Sequence, residues 1–317
     1  MPTQRRIRER DVRSTPTVAL AIDAPQPAVR PELSEGAPRL WRAVAGDAGG
    51  RVALAVLVLL ALLATFAPWI APFDPAAQLG IVDLKFQGPS REHWLGTDSV
   101  SRDVLSRMLF GAQVSLRVAV LAAGMSAVLG LVWGAAAGYA GGLLDSILMR
   151  TVDTLLSIPR VLLLLTVIAL WGRITPAGLI IMIGATGWFG VSRLARAEAL
   201  TVRTRDFVYA ARALGTRHAT ILVRHVLPHA LGPVLVAATV AVGQVIVLEA
   251  ALSYFGYGIP EPAASWGRII YDGRDQIVQA WWLTVFPGAA LIITSLAVNA
   301  VADRLRTALN PRQLHAR

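Results

Sequence analysis

The feature that most limits what this chain can fold into is an uncharged apolar run from Val52 to Ile70, VALAVLVLLALLATFAPWI. A helix of about 19 residues crosses a hydrocarbon core roughly 30 Å thick. In lipid such a helix also satisfies its own backbone groups. The run is too long and too far from the N-terminus for the core of a cleaved signal peptide. Arg5 and Arg6 resemble a twin-arginine signal only superficially, because that apolar core is so distant.

Five further runs follow. Val118–Ala137 carries small residues at Gly124, Gly130 and Gly134. Ile158–Trp171 is preceded by an amphipathic stretch from Leu143, and Pro159 should kink the chain where the span begins. Ala177–Val191 is rich in glycine. Leu231–Leu252 is apolar apart from Gln244 and Glu249, and Trp281–Val301 opens on a Trp pair suited to a membrane interface. The expectation is an all-α polytopic membrane protein with six transmembrane helices. Small residues on several spans permit close helix–helix approach.

Arginine distribution orients the spans. Residues 1–51 hold nine arginines against six acids, 193–229 hold seven against two, and 303–317 hold four against one. Residues 71–112 hold four basic groups against five acidic, and 255–280 two against three. The positive-inside rule therefore puts both termini and 193–229 in the cytoplasm, while the near-neutral 138–158 loop adds nothing. The net charge of +10 thus sits on loops of a chain that is 55% hydrophobic and only 16% charged. It is a topology signal rather than a nucleic-acid footprint. Residues 1–50 read as a proline-broken, disordered tail whose Arg5, Arg6, Arg8, Arg10 and Arg13 could reach anionic headgroups.

Catalysis finds little support. Cysteine is absent, which excludes disulfides, thiolate metal sites and thiol chemistry. The single lysine, Lys85, lies in no P-loop, so no ATP or magnesium is expected on this chain. His225 and His229 stand four apart, but Pro228 lies between them and no acid is near, so no metal site is expected.

The most informative segment is 193–229, RLARAEALTVRTRDFVYAARALGTRHATILVRHVLPH. A cytoplasmic loop this long in a compact membrane protein is usually functional. It reads as a helix over Val208–Leu214, a stop at Gly215, and a second amphipathic helix over Thr216–Val226. Pro228 marks the return to the membrane. Ala210 and Ala211, then Gly215, then His225-Val226-Leu227-Pro228 resemble the "EAA" loop of bacterial ABC importer permeases. Tyr209 stands where that motif usually has Glu, and His225 where it usually has Ile. Glu92–Val120, Ala137–Asp153, Glu249–Gly267 and Ala280–Gly288 resemble the C-type subunit of dipeptide/oligopeptide/nickel permeases. These blocks occur in order, and the resemblance covers about 50–312.

The resemblance implies a MetI-like permease fold in the cytoplasmic (inner) membrane of a bacterium. It implies a first transmembrane helix at 51–71, an extracytoplasmic segment at 72–112, a five-helix core at 113–302 and a cytoplasmic tail at 303–317. It assigns the ATPase-coupling surface to Tyr209, Ala210, Ala211, Arg212, Leu214, Gly215, Thr216, Leu227 and Pro228. The partners it implies are a homologous B-type permease in a heterodimer, two ATP-binding subunits that hold ATP and magnesium, and an extracytoplasmic substrate-binding protein. Peptides are the default cargo, with nickel chelates and glutathione as alternatives in the same family. A stand-alone secondary transporter would show internal repeats or ionisable groups at mid-membrane, and neither is evident.

Charges near the spans need protein or water around them. Glu249 is expected to meet a partner arginine, to line the path, or to reach headgroups from a helix end. Trp266 is a second candidate for a pore or partner contact. Arg117 should snorkel outward. Asp145, Arg150 and Asp153 share one arc, with Arg150 and Asp153 spaced to pair. The outer segments 71–112 and 255–280 face the binding protein and the translocation mouth by resemblance, or else form a packed cap over the bundle.

Overall fold

A computed structural model of the chain describes residues 41, 44–80, 83–172 and 174–309. Most of the 1–50 tail and residues 310–317 therefore lie outside the described residues. The described residues form nine main helices, several of them opened or closed by a residue suited to that place. α1 (Ala48–Thr65) starts at Asp47, whose carboxylate accepts the Gly50 N–H at 3.1 Å, and a short turn at Ala67–Ile70 extends it. α2 (Val104–Ala140) is capped by Asp103, which accepts the Ser106 N–H at 2.8 Å. α3 (Gly142–Leu156) and α4 (Arg160–Trp171) meet at a bend of 81°. Pro159 stands at that break, as its fixed φ and missing N–H lead one to expect. α5 (Pro176–Val202) carries proline at its first position, where no N–H is needed. α6 (Asp206–Ala213) is short, α7 runs from His218 to Tyr254, α8 is Trp266–Gly273 and α9 is Trp282–Leu309.

Five helices, α1, α2, α5, α7 and α9, are long and apolar enough to cross a membrane, and the bent α3–α4 pair makes a sixth span when counted as one. The six-span reading holds, but the helices overrun the apolar runs. α2 begins at Val104, so the last part of the outer segment is helical and Arg117 lies well inside α2 on its exposed side. At 37 residues α2 is about 55 Å long, far more than a bilayer core requires. α5 likewise continues through Arg193 and Arg196 to Val202.

The central packing contact is α2 against α5. Gly130, Gly134 and Gly138 recur at helical spacing on α2, on the side that meets α5. A Cβ on Gly138 would lie 2.6 Å from the Arg196 carbonyl, and one on Gly134 would lie 2.9 Å from Ala195 Cβ. Only hydrogen fits there, so the backbones approach closely and gain dispersion contact that lipid cannot supply. Around this contact the core gathers Ala119 and Ala122 of α2, Leu164 and Ile168 of α4, Leu179 and Ile183 of α5, and Ile246 of α7.

α3 is held to α5 by charge. Asp145 meets Arg196 through two contacts of 2.6 and 2.7 Å, and Asp153 meets Arg193 at 2.5 Å. The expected Arg150–Asp153 pair does not form. A partner on a neighbouring helix wins over one three residues along the same helix, because it also fixes the α3–α5 packing.

Residues 83–112 and 255–280 form a packed cap around a charge network. Asp98 accepts the N–H groups of Val100 and Arg102, both at 2.9 Å, and pairs with the guanidinium groups of Arg102 (2.6 Å) and Arg107. Asp272 of α8 pairs with Arg107 at 2.9 Å, Arg102 at 3.3 Å and Arg268 at 2.9 Å, and Glu261 pairs with Arg102 and Arg268, both at 3.2 Å. Three cations thus meet three anions, and the side chains of Asp98 and Arg107 are almost wholly buried. Burial alone would raise the Asp98 carboxyl. Arg107, the Arg102 N–H, the Arg102 guanidinium and the Val100 N–H outweigh it and hold Asp98 below the usual carboxylate range. Burial also raises Glu261, and Arg102, Arg268 and Arg107 overcome it there too.

A carboxyl depressed in the fold stabilises it fully above the ordinary carboxylate range, and that contribution disappears as pH falls through the lower folded value. Cap stability should therefore be flat at neutral pH and fall only below about pH 4. Asp98→Asn leaves two buried guanidiniums short of an anion and should cost about 3–5 kcal/mol at neutral pH. Hydrogen exchange of the 97–107 amides measures this, and unchanged protection in the variant would contradict the role given to the network.

Candidate functional site

The segment singled out in the sequence is shorter in the fold than 193–229, because two long helices claim its ends. α5 runs to Val202 and α7 starts at His218, which leaves residues 203–217 to turn between them. α6 lies within this turn. Its stop is a Schellman motif: the Gly215 N–H donates to the Arg212 carbonyl at 2.9 Å, and the Thr216 N–H donates to the Ala211 carbonyl at 3.0 Å. Gly215 has φ +76, a left-handed conformation that glycine adopts without a Cβ penalty. The role read for Gly215 from its sequence context stands.

The separate second helix expected over Thr216–Val226 does not exist, and Pro228 does not interrupt the chain. The helix starts at His218 and continues through Pro228 into the membrane-spanning part of α7. A proline ring clashes with the carbonyl four residues before it and donates no N–H. Here a single wide turn at Leu222–Val226 absorbs the misfit, with the Leu227 N–H reaching back five residues to the Leu222 carbonyl. The His229 Nδ1 donates to the His225 carbonyl at 2.6 Å, and the Phe207 ring stacks on His229. No cluster that could hold a metal ion occurs among the described residues.

The turn rests on a small core of its own. Val208, Ile221 and Val226 are fully buried against Ala135 and Tyr139 of α2 and Ala199 and Val202 of α5. The Tyr139 hydroxyl meets the His218 Nδ1 at 2.9 Å, and Arg203 donates to the Gly138 carbonyl at 3.1 Å. The surface that remains is led by Leu214, 85% exposed, and Tyr209, 54% exposed. Tyr209, Ala210, Leu214 and Gly215 are thus brought together on the outside of one turn, with Ala211, Arg212 and Thr216 half-buried. Leu227 and Pro228 lie past the wide turn, in the body of α7, and are not part of that exposed surface.

The two candidates proposed for pore or partner contacts point inward instead. Glu249 is fully buried: Ser115 donates to one carboxylate oxygen at 3.1 Å and Ser253 to the other at 2.9 Å. The Ser115 hydroxyl also accepts the Trp266 N–H at 3.3 Å, and the Trp266 indole donates to the Met108 carbonyl at 3.1 Å. Glu249 and Trp266 therefore knit α2, α7 and α8 together. Ser115 and Ser253, which sequence reading missed, carry that junction. A serine among apolar residues offered no signal without the fold.

Comparison with known proteins gives the family. Residues 130–315 match the family described as binding-protein-dependent transport system inner membrane component, and residues 39–89 match the N-terminal transmembrane domain of oligopeptide transport permease C. The chain is 41% identical over 264 residues to a putative peptide transport system permease protein of Brucella suis, covering 83% of this chain and 87% of that one. It is 36% identical over 265 residues to the oligopeptide transport system permease protein OppC of Bacillus subtilis, covering 82% and 85%. It is 36% identical over 275 residues to the glutathione transport system permease protein GsiD of Escherichia coli, covering 86% and 89%.

The Schellman closure makes a local prediction. No atom lies within 4 Å of a Cβ built on Gly215, so a side chain there meets strain rather than a clash. Gly215→Val should destabilise the turn by about 1–2 kcal/mol and speed hydrogen exchange at residues 215 and 216. Gly215→Asn, which tolerates the left-handed region, should keep most of the protection. Equal exchange in both variants would contradict the motif's role.

Proposed function

The chain belongs to the binding-protein-dependent transport system inner membrane component family, and from that premise we propose that residues 203–217 are where it receives the work of ATP hydrolysis. It is a multi-pass transmembrane permease subunit of an ABC importer, and its relatives are permeases for peptides, dipeptides and glutathione. Peptides are the cargo class that most of these relatives share, with glutathione within the same family.

The observation that carries the coupling role is the Schellman-closed α6 turn, anchored on α2 and α5 and exposing Leu214 and Tyr209. An importer needs a membrane subunit that moves when a soluble ATPase closes, and a short, stiff helix on packed long helices can pass on a rigid-body displacement. Two ATPase subunits need two such turns. A chain with one turn therefore pairs with a homologous sister permease. Seven arginines against two acids over 193–229 support a cytoplasmic position for this turn and for both termini. The capped outer end then faces the substrate-binding protein. ATP hydrolysis is assigned to the partner subunits.

Purification of the chain from its native membrane should capture two ATPase chains and a sister permease. Binding protein with peptide should stimulate ATP hydrolysis by that complex, and Gly215→Val should remove the stimulation while the complex still assembles. Active transport by the chain alone would instead support a secondary transporter. Undiminished stimulation in Gly215→Val would remove the coupling role from this turn.

A further inference from the structure

Behind the α6 turn lies a cavity of about 740 Å³. Tyr139 and His218 meet across its wall, and Arg203, Thr204, Tyr209 and Arg212 complete its polar lining. The lining holds two guanidinium groups, an imidazole and two phenols, but no carboxylate. Asp145, on the helix that contributes Leu144 to the wall, is occupied by Arg196 through both its oxygens.

The Arg212 side chain is the group left wanting. It packs over the Tyr139 ring, with its central carbon 5.3 Å from the ring centre, and its Nε is buried with no hydrogen-bond partner. A guanidinium carries five N–H donors in a planar fork that suits a carboxylate. Packing closes off the Nε itself, but the two terminal nitrogens make no hydrogen bond among the described residues and are the donors a docked group can reach. Arg203 spends one donor on the Gly138 carbonyl and keeps the rest of its fork. The Tyr139–His218 contact holds the ring on which Arg212 rests. The cavity is thus a preformed, positively charged socket beside the exposed Leu214 and Tyr209.

We infer that this socket takes a carboxylate side chain, Asp or Glu, presented by the ATPase subunit, and that Arg212 is its main partner. This rests on the coupling role proposed above. It goes further by naming the chemistry of the docked group. Charge complementarity selects the occupant: the lining is cationic and lacks an acid of its own. The arginine fork favours a planar carboxylate held by two bonds.

The test uses the full complex of this chain, its sister permease and the ATPase subunits, carrying Arg212→Lys. The wild-type chain has one lysine, Lys85, far from this turn, so the substitution adds the only lysine side chain near the socket. A water-soluble carbodiimide joins an amine to a carboxylate with loss of water and no spacer. The expected product is an amide between residue 212 and an Asp or Glu of the ATPase, located by mass spectrometry. Gln279→Lys, exposed at the far end of the chain, should give no such product. Arg212→Gln should weaken ATPase binding to the permease pair by more than about tenfold, and Arg212→Lys, which keeps the charge but not the fork, should restore only part of it.

Cross-linking of residue 212 to an acid of this chain or of the sister permease would overturn the inference, as would no cross-link at all in a complex that contains the ATPase. Displacement of the cross-link by vesicles of anionic phospholipid, with ATPase binding unchanged, would assign the socket to a lipid headgroup and also overturn it. If the wild-type chain captures no ATPase, the coupling role itself fails, and the socket inference falls with it.

Discussion

The close approach of α2 and α5 is the contact on which the rest of the structure depends. In lipid, apolar side chains gain little by leaving one apolar surface for another, so helices associate where their backbones come near enough for dense packing. Gly130, Gly134 and Gly138 supply that nearness against Ser192, Ala195, Arg196 and Ala199. Both ends of the molecule hang from this pair. At one end α2 extends through Arg107 into the charged cap. At the other, Tyr139 of α2 and Val202 of α5 make the floor under the α6 turn. The turn and the cap are thus joined through α2, which α5 flanks along its middle and inner part.

The charges divide by environment. The cap buries its ions, and it does so only because three arginines and three acids balance and because backbone N–H groups also bond Asp98. The contacts between α3 and α5 are different: Arg193 and Asp153 are half-exposed and add little stability on their own, but they set the position of α3. Glu249 uses neither strategy, and two hydroxyls rather than a cation meet its carboxylate. In the Arg212 socket the cations outnumber the acids, and the socket lies at the surface proposed to meet another protein.

Much of the fold was legible in the sequence because lipid leaves so few solutions. Long apolar runs announced the spans, Pro159 announced the bend, and Gly215 announced the end of α6. What was not legible depended on long-range partners or on backbone accommodation. Pro228 read as a boundary because a proline usually ends a regular helix. The wide turn at Leu222–Val226 absorbed it, and two expected pieces became one helix. Asp145 found Arg196 fifty-one residues away, and Glu249 found Ser115 at a separation of 134. Spacing along a single helix cannot reveal such pairs. The same limit explains Trp266, whose place inside the junction depends on helices far apart in the chain.

The central claim is that the α6 turn, α2, α5 and the outer cap move as one body. The chain has no native cysteine, so spin labels can be placed by Thr216→Cys in the turn and Trp94→Cys in the exposed outer segment. Pulsed electron-resonance distances in the assembled complex, with and without a non-hydrolysed nucleotide, test the claim most directly. The account predicts that the distance between these two labels stays the same in both states, while the distance from Thr216→Cys to a label on the sister subunit changes. A shift of the intrachain distance by several ångströms on nucleotide binding would contradict it.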